Sequence, residues 1–113
     1  MNDKPRIIIA SESGISIQSL DDISDAVAKC LGSRGLILAE AELAREFFEL
    51  RSRFAGELFQ KFVNYKIRLA VVLQNPDSYG ERFAELAYEH SKHPLIRFFD
   101  TVESAKAWLN AEG

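Results

Sequence analysis

The chain of 113 residues contains a single cysteine and no long hydrophobic run. A lone cysteine, Cys30, cannot form an internal disulfide, which fits a reducing compartment. A membrane-spanning helix needs roughly 20 consecutive apolar residues, and no segment of this sequence approaches that length. The apolar stretch near the amino terminus is very short and soon becomes polar, unlike a signal peptide. The sequence therefore predicts a cytoplasmic protein that does not enter a membrane.

Basic residues and catalytic motifs are also scarce. The chain has 14 Lys and Arg residues against 17 Asp and Glu residues, for a net charge of -3. Because no Lys/Arg cluster is present, binding to nucleic acid through its phosphates is not expected. Glycine-rich nucleotide motifs, the nucleophile elbow, CxxC and HExxH are absent as well. We therefore expect a protein that is not an enzyme, with no catalytic residue and no cofactor.

Isolated residues with chemical potential have simpler interpretations. His90 and His93 have no third metal ligand nearby, so we interpret them as residues at a helix end, where a charged histidine interacts favourably with the dipole. Cys30 lies on the apolar stripe of a helix and is expected to be a small buried hydrophobe. No metal site is predicted.

The strongest structural signal is in residues 47–72, where an aromatic helix is followed by a strand that is almost entirely apolar. Such a run, at 67–73, is typical of a strand buried on both faces of a parallel sheet. Further strands are predicted at 6–10, 36–39 and 95–99, with helices between them. The pattern predicts one small α/β domain over residues 1–113, with four to five mostly parallel strands and about four helices.

Several boundaries follow from capping and turn residues. Residues 15–18 are a candidate second strand, and residues 40–46 are expected to be helical and to lead into the long aromatic helix that ends near Tyr65. Ser19 is a candidate cap of the first helix. After the Asn75-Pro76 turn, Asp77 or Ser78 is expected to cap the next helix, and Asp100 or Thr101 the last one.

A serine-rich segment follows the first strand and is a candidate ligand loop. Its residues are Ser11, Ser13, Gly14 and Ser16, with a spacing that looks like the phosphate loop of flavodoxins. In that loop, hydroxyl and backbone N–H groups at a helix N-terminus hold a flavin phosphate. The alternative is a polar turn between two short strands, which is favoured because the helix is expected to begin only near Leu20.

Arg51, Ser52 and Arg53 form a second candidate site, which we call the switch surface. Serine is a preferred residue at a helix N-terminus, so Ser52 could simply cap the amphipathic helix that follows. The two arginines and the helix dipole would also stabilise a phosphate group placed on Ser52. Capping with solvated arginines and regulation by phosphorylation are both open at this point.

The segment EFFELRSRFAGELFQKFVNYKIRLAVV resembles a small bacterial family known as Domain of Unknown Function 4180. The resemblance continues through FAELAYE and LIRFFDTVESAKAWL, and so covers most of the chain. It implies no biochemical activity. That family is in turn similar to STAS domains, α/β modules that bind a partner kinase and are switched by phosphorylation of a serine.

The STAS resemblance implies a non-enzymatic regulatory or interaction module with an as yet unidentified protein partner. By position, Ser52 corresponds to the switching serine, although Arg51 stands where STAS antagonists generally carry aspartate. The aromatic content is also compatible with a homodimer. The alternative is a protein that binds a flavin or another phosphate-bearing compound at Ser11–Ser16.

Overall fold

A computed structural model describes residues 6–111 and contains a four-stranded parallel sheet. The strands are β1 (Ile7–Ile9), β2 (Gly35–Ala39), β3 (Leu69–Val72) and β4 (Ile96–Phe99). They lie side by side in chain order, and each neighbouring pair is parallel. The predicted α/β fold with a mostly parallel sheet is therefore confirmed, whereas its STAS-like character stays a prediction.

Five α-helices accompany the sheet in the described part of the chain. They are α1 (Ala10–Ser13), α2 (Leu20–Cys30), α3 (Phe54–Asn64), α4 (Glu81–Glu89) and α5 (Val102–Asn110). Because α2, α3 and α4 each connect a strand to the next parallel strand, right-handed crossovers place all three on one face. Helix α5 follows the last strand and covers the opposite face. Within residues 6–111, none of the helices has the length and apolar content needed to cross a membrane.

Alternating strand residues divide the core into two layers. Leu36, Leu69 and Ile96 point into the larger layer, beneath the three crossover helices. Ile37 and Ala70 belong to the smaller layer, beneath α5. The sheet is therefore buried on both faces, as the apolar runs predict.

Gly35 allows α5 to approach the start of β2 closely. A Cβ atom at this position would lie 2.6 Å from Leu109 Cδ2 and 2.8 Å from the carbonyl oxygen of Arg68. The φ angle of Gly35 is also positive, at 151°. Any larger residue would have to displace the helix or the neighbouring strand, so this glycine sets the distance between α5 and the sheet.

The prediction of one long aromatic helix is wrong for the residues before Phe54. The chain instead forms three 3-10 turns, Glu40–Glu42, Arg45–Phe48 and Leu50–Ser52, before α3 begins at Phe54. Two backbone hydrogen bonds to Ile17 explain the interruption, since they hold Leu43 and Ala44 extended. The Ile17 N–H donates to Glu42 O at 2.8 Å, and the Ala44 N–H donates to Ile17 O at 3.0 Å.

The same two hydrogen bonds correct the strand predicted at 15–18. Only Ile17 pairs with another segment, through a single parallel bridge to Leu43. Its side chain is fully buried. This segment therefore anchors the connection between β2 and α3 to the core, and does not add a strand to the sheet.

Two of the three predicted helix caps are confirmed. Ser19 Oγ accepts a hydrogen bond from the Asp22 N–H at 3.4 Å, and Thr101 Oγ1 accepts one from the Ser104 N–H at 3.1 Å. Both contacts satisfy amide groups that have no partner within the first turn of a helix.

The cap predicted for α4 is wrong. Asp77 and Ser78 lie in a 3-10 turn, Pro76–Tyr79, and Gly80 is the residue that precedes the helix. Ser78 Oγ donates to the carbonyl oxygen of Asn75 at 2.8 Å, so the hydroxyl stabilises the turn instead of the helix. A turn does follow Asn75, as the Asn75-Pro76 pair predicts. Residues 76–80 then precede the first residue of α4.

Helix α3 ends in a Schellman motif with a lysine where glycine is preferred. The Ile67 N–H donates to Phe62 O at 2.9 Å, and the Lys66 N–H donates to Val63 O at 3.0 Å. These are the two hydrogen bonds of that motif, and Ile67 and Phe62 are both buried. Lys66 accordingly has a left-handed backbone, with φ of 56°.

We predict that Lys66→Gly raises the free energy of unfolding by about 0.5–1 kcal/mol, because glycine adopts a left-handed backbone without steric strain. Lys61→Gly is the control, since Lys61 lies inside the same helix and its replacement should destabilise the protein by about 1 kcal/mol. Urea unfolding of both variants measures the two changes. A Lys66→Gly protein that is less stable than the original would contradict the strain at this position.

Candidate functional site

A cavity of about 520 Å³ lies between the segments that follow β2 and β3. We call it the carboxyl-edge cavity, because both segments leave the carboxyl ends of their strands. In open parallel sheets this edge is where ligands bind. The cavity is lined by Phe48, Leu50, Arg51, Tyr79, Gly80, Glu81, Arg82 and Phe83.

One part of the lining is aromatic and apolar. The rings of Phe48 and Tyr79 are stacked, with their centroids 3.9 Å apart and their planes 13° apart. Each ring also contacts Phe83, at centroid distances of 5.3 Å and 5.6 Å. Phe83 is almost fully buried, whereas Phe48 and Tyr79 are only half-buried. The stack therefore offers part of its surface to a ligand.

Phe47 fixes the position of this aromatic group. Its ring is fully buried and lies edge-on to Phe59 and Phe83, with centroids 5.8 Å and 5.7 Å away. It also contacts the neighbouring Phe48 at 5.1 Å. Phe47 therefore joins the segment after β2 to both α3 and α4, and holds the two walls of the cavity together.

The charged part of the lining comes from both segments. Arg51 lies in the last 3-10 turn before α3, and Arg82 lies in the first turn of α4. Both side chains are exposed. The side chain of Glu81, which also lines the cavity, is exposed as well. Two guanidinium groups and one carboxylate give the cavity a positive charge, although the whole chain is acidic.

The N-terminus of α4 adds to this positive potential. Gly80 supplies no side-chain cap, and the Ala84 N–H is the first to bond back, to Gly80 O at 3.0 Å. The amide groups of residues 81–83 precede this bond at the positive end of the helix dipole. The cavity can therefore accommodate an anionic group on electrostatic grounds.

The structure places the three residues of the switch surface in different roles. Arg51 lines the cavity, whereas Ser52 and Arg53 do not. Arg53 has a left-handed backbone, with φ of 63°, and is the residue that precedes α3. Only one residue of the predicted surface therefore belongs to the cavity.

Ser52 has an exposed side chain whose hydroxyl is fully engaged. Its Oγ lies 2.6 Å from Glu46 O and 2.7 Å from Glu49 O, which share the single hydroxyl proton, and it accepts from the Phe54 N–H at 3.1 Å. The predicted contact with the start of the helix exists, although Arg53 occupies the cap position. Ser52 thus ties the preceding turns to α3.

We predict that Ser52→Ala lowers the free energy of unfolding by about 1 kcal/mol, because it removes the acceptor of the Phe54 N–H and the one hydroxyl proton that Glu46 O and Glu49 O share. Ser52→Thr keeps the hydroxyl and should lose less stability. Thermal and urea unfolding compare the two variants. Equal stability of the alanine variant and the original protein would show that these bonds contribute nothing.

The ligand loop does not form the predicted turn between two strands. Ser11 and Ser13 lie in the short helix α1, and Gly14 ends it with a left-handed backbone, φ 69°. A cavity of about 90 Å³ beside Gly14 and Ser16 is also lined by Asp22 and Asp25. Lys29 also lines this cavity, but its one positive charge does not balance the two carboxylates, so a phosphate group is disfavoured at this position. None of the loop residues lines the carboxyl-edge cavity.

The two histidines make local backbone contacts, but only His90 lies at a helix end as predicted, and His93 lies beyond it at the start of β4. His90 follows α4, and its Nδ1 lies 2.9 Å from Leu86 O. His93 Nδ1 accepts from the N–H groups of Leu95 and Ile96, both at 3.0 Å, and so caps the start of β4. Among residues 6–111, no three His, Cys, Asp or Glu side chains are grouped as metal ligands.

The pKa values of His93 and Cys30 are shifted in opposite directions. Burial lowers the pKa of His93, and the positive charges of His90 and Arg97 lower it further. Burial raises the pKa of the Cys30 thiol to about 11, despite the opposing charge of Lys29. Cys30 is fully buried, so a role as a nucleophile is disfavoured by both access and ionisation.

The lowered pKa of His93 predicts a pH-dependent stability. The folded chain binds fewer protons at this residue than the unfolded chain, so the stabilisation is complete above about pH 6.5 and is lost as the pH falls through the lower folded pKa. Asparagine can offer an oxygen to the same two N–H groups without titrating. His93→Asn should therefore lose less stability than the original protein between about pH 8 and about pH 5. Urea unfolding at each pH measures this, and identical losses would contradict the role of His93.

Sequence reasoning missed Phe48, Tyr79 and Arg82. Phe48 falls within the predicted long helix, which does not form there, and Tyr79 and Arg82 lie just beyond the Asn75-Pro76 turn. The available signal was their position after two apolar strands, since the carboxyl ends of adjacent parallel strands share an edge. That signal required knowing that β2 and β3 are neighbours.

Comparison with known proteins establishes the family. A family model described as "Domain of unknown function (DUF4180)" matches residues 2–109. The match covers nearly the whole chain, so this protein belongs to that family. No curated protein and no solved structure matches it.

Proposed function

Starting from a chain that belongs to the DUF4180 family, we propose that this protein is a non-enzymatic regulatory module that binds an acidic segment of a partner protein at the carboxyl-edge cavity. One observation carries the proposal. Arg51 and Arg82, from two different segments, line a single cavity beside the stacked rings of Phe48 and Tyr79.

The charges of the cavity favour an acidic ligand. Each guanidinium group can donate two parallel hydrogen bonds to a carboxylate, which gives geometric specificity as well as attraction. A positive cavity on an acidic chain also guides negatively charged segments to this place, since the rest of the surface repels them. Arginine and aromatic residues are moreover enriched among residues that dominate binding energy at protein interfaces.

The composition of the lining supports binding over catalysis. Of the described residues in the cavity, Glu81 is the one carboxylate and Tyr79 the one hydroxyl group, and no hydrogen bond joins their side chains. General acid–base or nucleophilic catalysis requires such a group with a positioned partner. We therefore assign the cavity to recognition.

A regulatory role is supported by the contacts of Ser52. A phosphate on its oxygen would remove the hydroxyl donor and bring negative charge towards the carbonyl groups of Glu46 and Glu49. The adjacent Arg51 would be attracted to that phosphate. Modification of Ser52 would thereby withdraw one arginine from the cavity and weaken partner binding.

The size of the cavity favours a small molecule as the second candidate. Its volume of about 520 Å³ lies within the range of roughly 300–1,000 Å³ that is usual for small-ligand sites. This candidate moves the predicted ligand site from Ser11–Ser16 to the carboxyl edge, where the positive charges are.

We predict that Arg51→Ala and Arg82→Ala each raise the Kd for the partner about tenfold, since each removes one charged donor from the cavity. The full chain is used to capture the partner from an extract of its source, and the purified pair is then measured by calorimetry. Ser52→Asp should also weaken the complex, whereas Ser52→Thr should not.

Arg45→Ala is the matched control, because Arg45 is exposed on the same segment but does not line the cavity. It should leave the Kd unchanged. Equal affinities of the Arg51 and Arg82 variants and the original protein would refute docking at this cavity. A weakening of the same size in the Arg45 variant would indicate general charge attraction instead of a site.

A further inference from the structure

We infer that the ligand accepted by the carboxyl-edge cavity combines an aromatic ring with one nearby carboxylate. The inference rests on the proposed function, since it assumes that this cavity is the binding site, and it specifies the chemistry of the ligand. Two sources offer this chemistry, namely an aromatic residue at the free C-terminus of a partner and a free aromatic acid.

The aromatic part follows from the uncovered surface of the Phe48–Tyr79 stack. Both rings are half-buried, and their centroids are 3.9 Å apart, so they present a joined aromatic surface. Within the described chain, their other ring contacts are with Phe83 and, for Phe48, with Phe47, and both Phe48 and Tyr79 line the cavity. A ligand ring placed there completes an aromatic cluster, in the stacked or edge-on geometries that aromatic rings favour.

The single negative charge follows from the ionic groups of the lining. Arg51 and Arg82 attract an anion, and the uncapped first turn of α4 adds to that attraction. Glu81 belongs to the same lining and repels one. The balance of one net positive charge suits a monoanionic carboxylate better than a dianionic phosphate.

We expect the aromatic ring and the carboxylate to occur on one ligand. The aromatic pair and the arginines line the same cavity of about 520 Å³, and both halves come from the same two segments. A ligand that fills only the aromatic part leaves the guanidinium groups without an anionic partner. A simple anion leaves the aromatic surface exposed to water.

The test uses the intact chain and four small probes in calorimetric titrations. N-acetyl-phenylalanine carries both groups, its amide lacks the charge, N-acetyl-alanine lacks the ring, and phenyl phosphate carries a second negative charge. We expect N-acetyl-phenylalanine to bind with a Kd on the order of 1 mM or tighter, as its size allows. The amide and N-acetyl-alanine should bind at least tenfold more weakly, and phenyl phosphate no more tightly.

Two substitutions locate the binding. Arg82→Ala should weaken the binding of N-acetyl-phenylalanine at least tenfold, and Tyr79→Leu should weaken it while retaining an apolar side chain. Arg45→Ala should have no effect. Circular dichroism checks that each variant is folded, and Arg82→Lys, which keeps the charge but loses the paired donors, replaces Arg82→Ala if that variant unfolds.

The source of the group is resolved by a short peptide that ends in Gly-Gly-Phe. Tighter binding of this peptide than of N-acetyl-phenylalanine, lost when its C-terminus is amidated, identifies a partner's chain end. Equal binding of both probes, together with an aromatic acid released from the purified protein on denaturation, identifies a free acid. Either result supports the inference.

The inference is overturned if N-acetyl-phenylalanine does not bind, or if its amide binds equally well. Such a result differs from failure of the proposed function. Partner binding that depends on Arg51 and Arg82 but is not competed by N-acetyl-phenylalanine leaves docking intact and refutes the aromatic acid. Docking is refuted if neither arginine substitution changes the affinity for the partner. This conclusion holds for any result with the small probes.

Discussion

Because the four strands run parallel in chain order, each crossover helix must return over the same face of the sheet. This constraint places α2, α3 and α4 in one layer, over the larger core, and leaves the opposite face to α5 alone. It also brings the carboxyl ends of β2 and β3 side by side. The segments that leave these ends are therefore neighbours, and the cavity between them is a consequence of strand order.

Aromatic packing converts this adjacency into a defined site. Phe47 contacts Phe83 across the two segments, and Phe48 stacks on Tyr79 beside them. With these rings in place, Arg51 and Arg82 line one cavity although 31 positions separate them in the sequence. Ser52 contributes from outside the cavity, by tying the turn that carries Arg51 to the start of α3. The cavity is thus built on contacts with the core.

The strands were predictable because burial on both faces leaves a strong sequence signal, as in residues 69–72, all of which are buried. The caps at Ser19 and Thr101 were predictable as well, since a local side-chain preference decides them. The segment 40–53 was not, because two hydrogen bonds to the distant Ile17 override its helical composition. The cavity depends on the same non-local contacts, so Arg51 was singled out for its neighbours in sequence and Arg82 was missed.

We place the proposed binding site at the carboxyl edge of β2 and β3. Backbone amide NMR of the intact chain, recorded during titration with N-acetyl-phenylalanine, tests that location directly. We expect the largest chemical-shift changes in residues 48–51 and 79–83. Changes concentrated in residues 11–16 or on α5 would contradict it, and so would a spectrum that does not change.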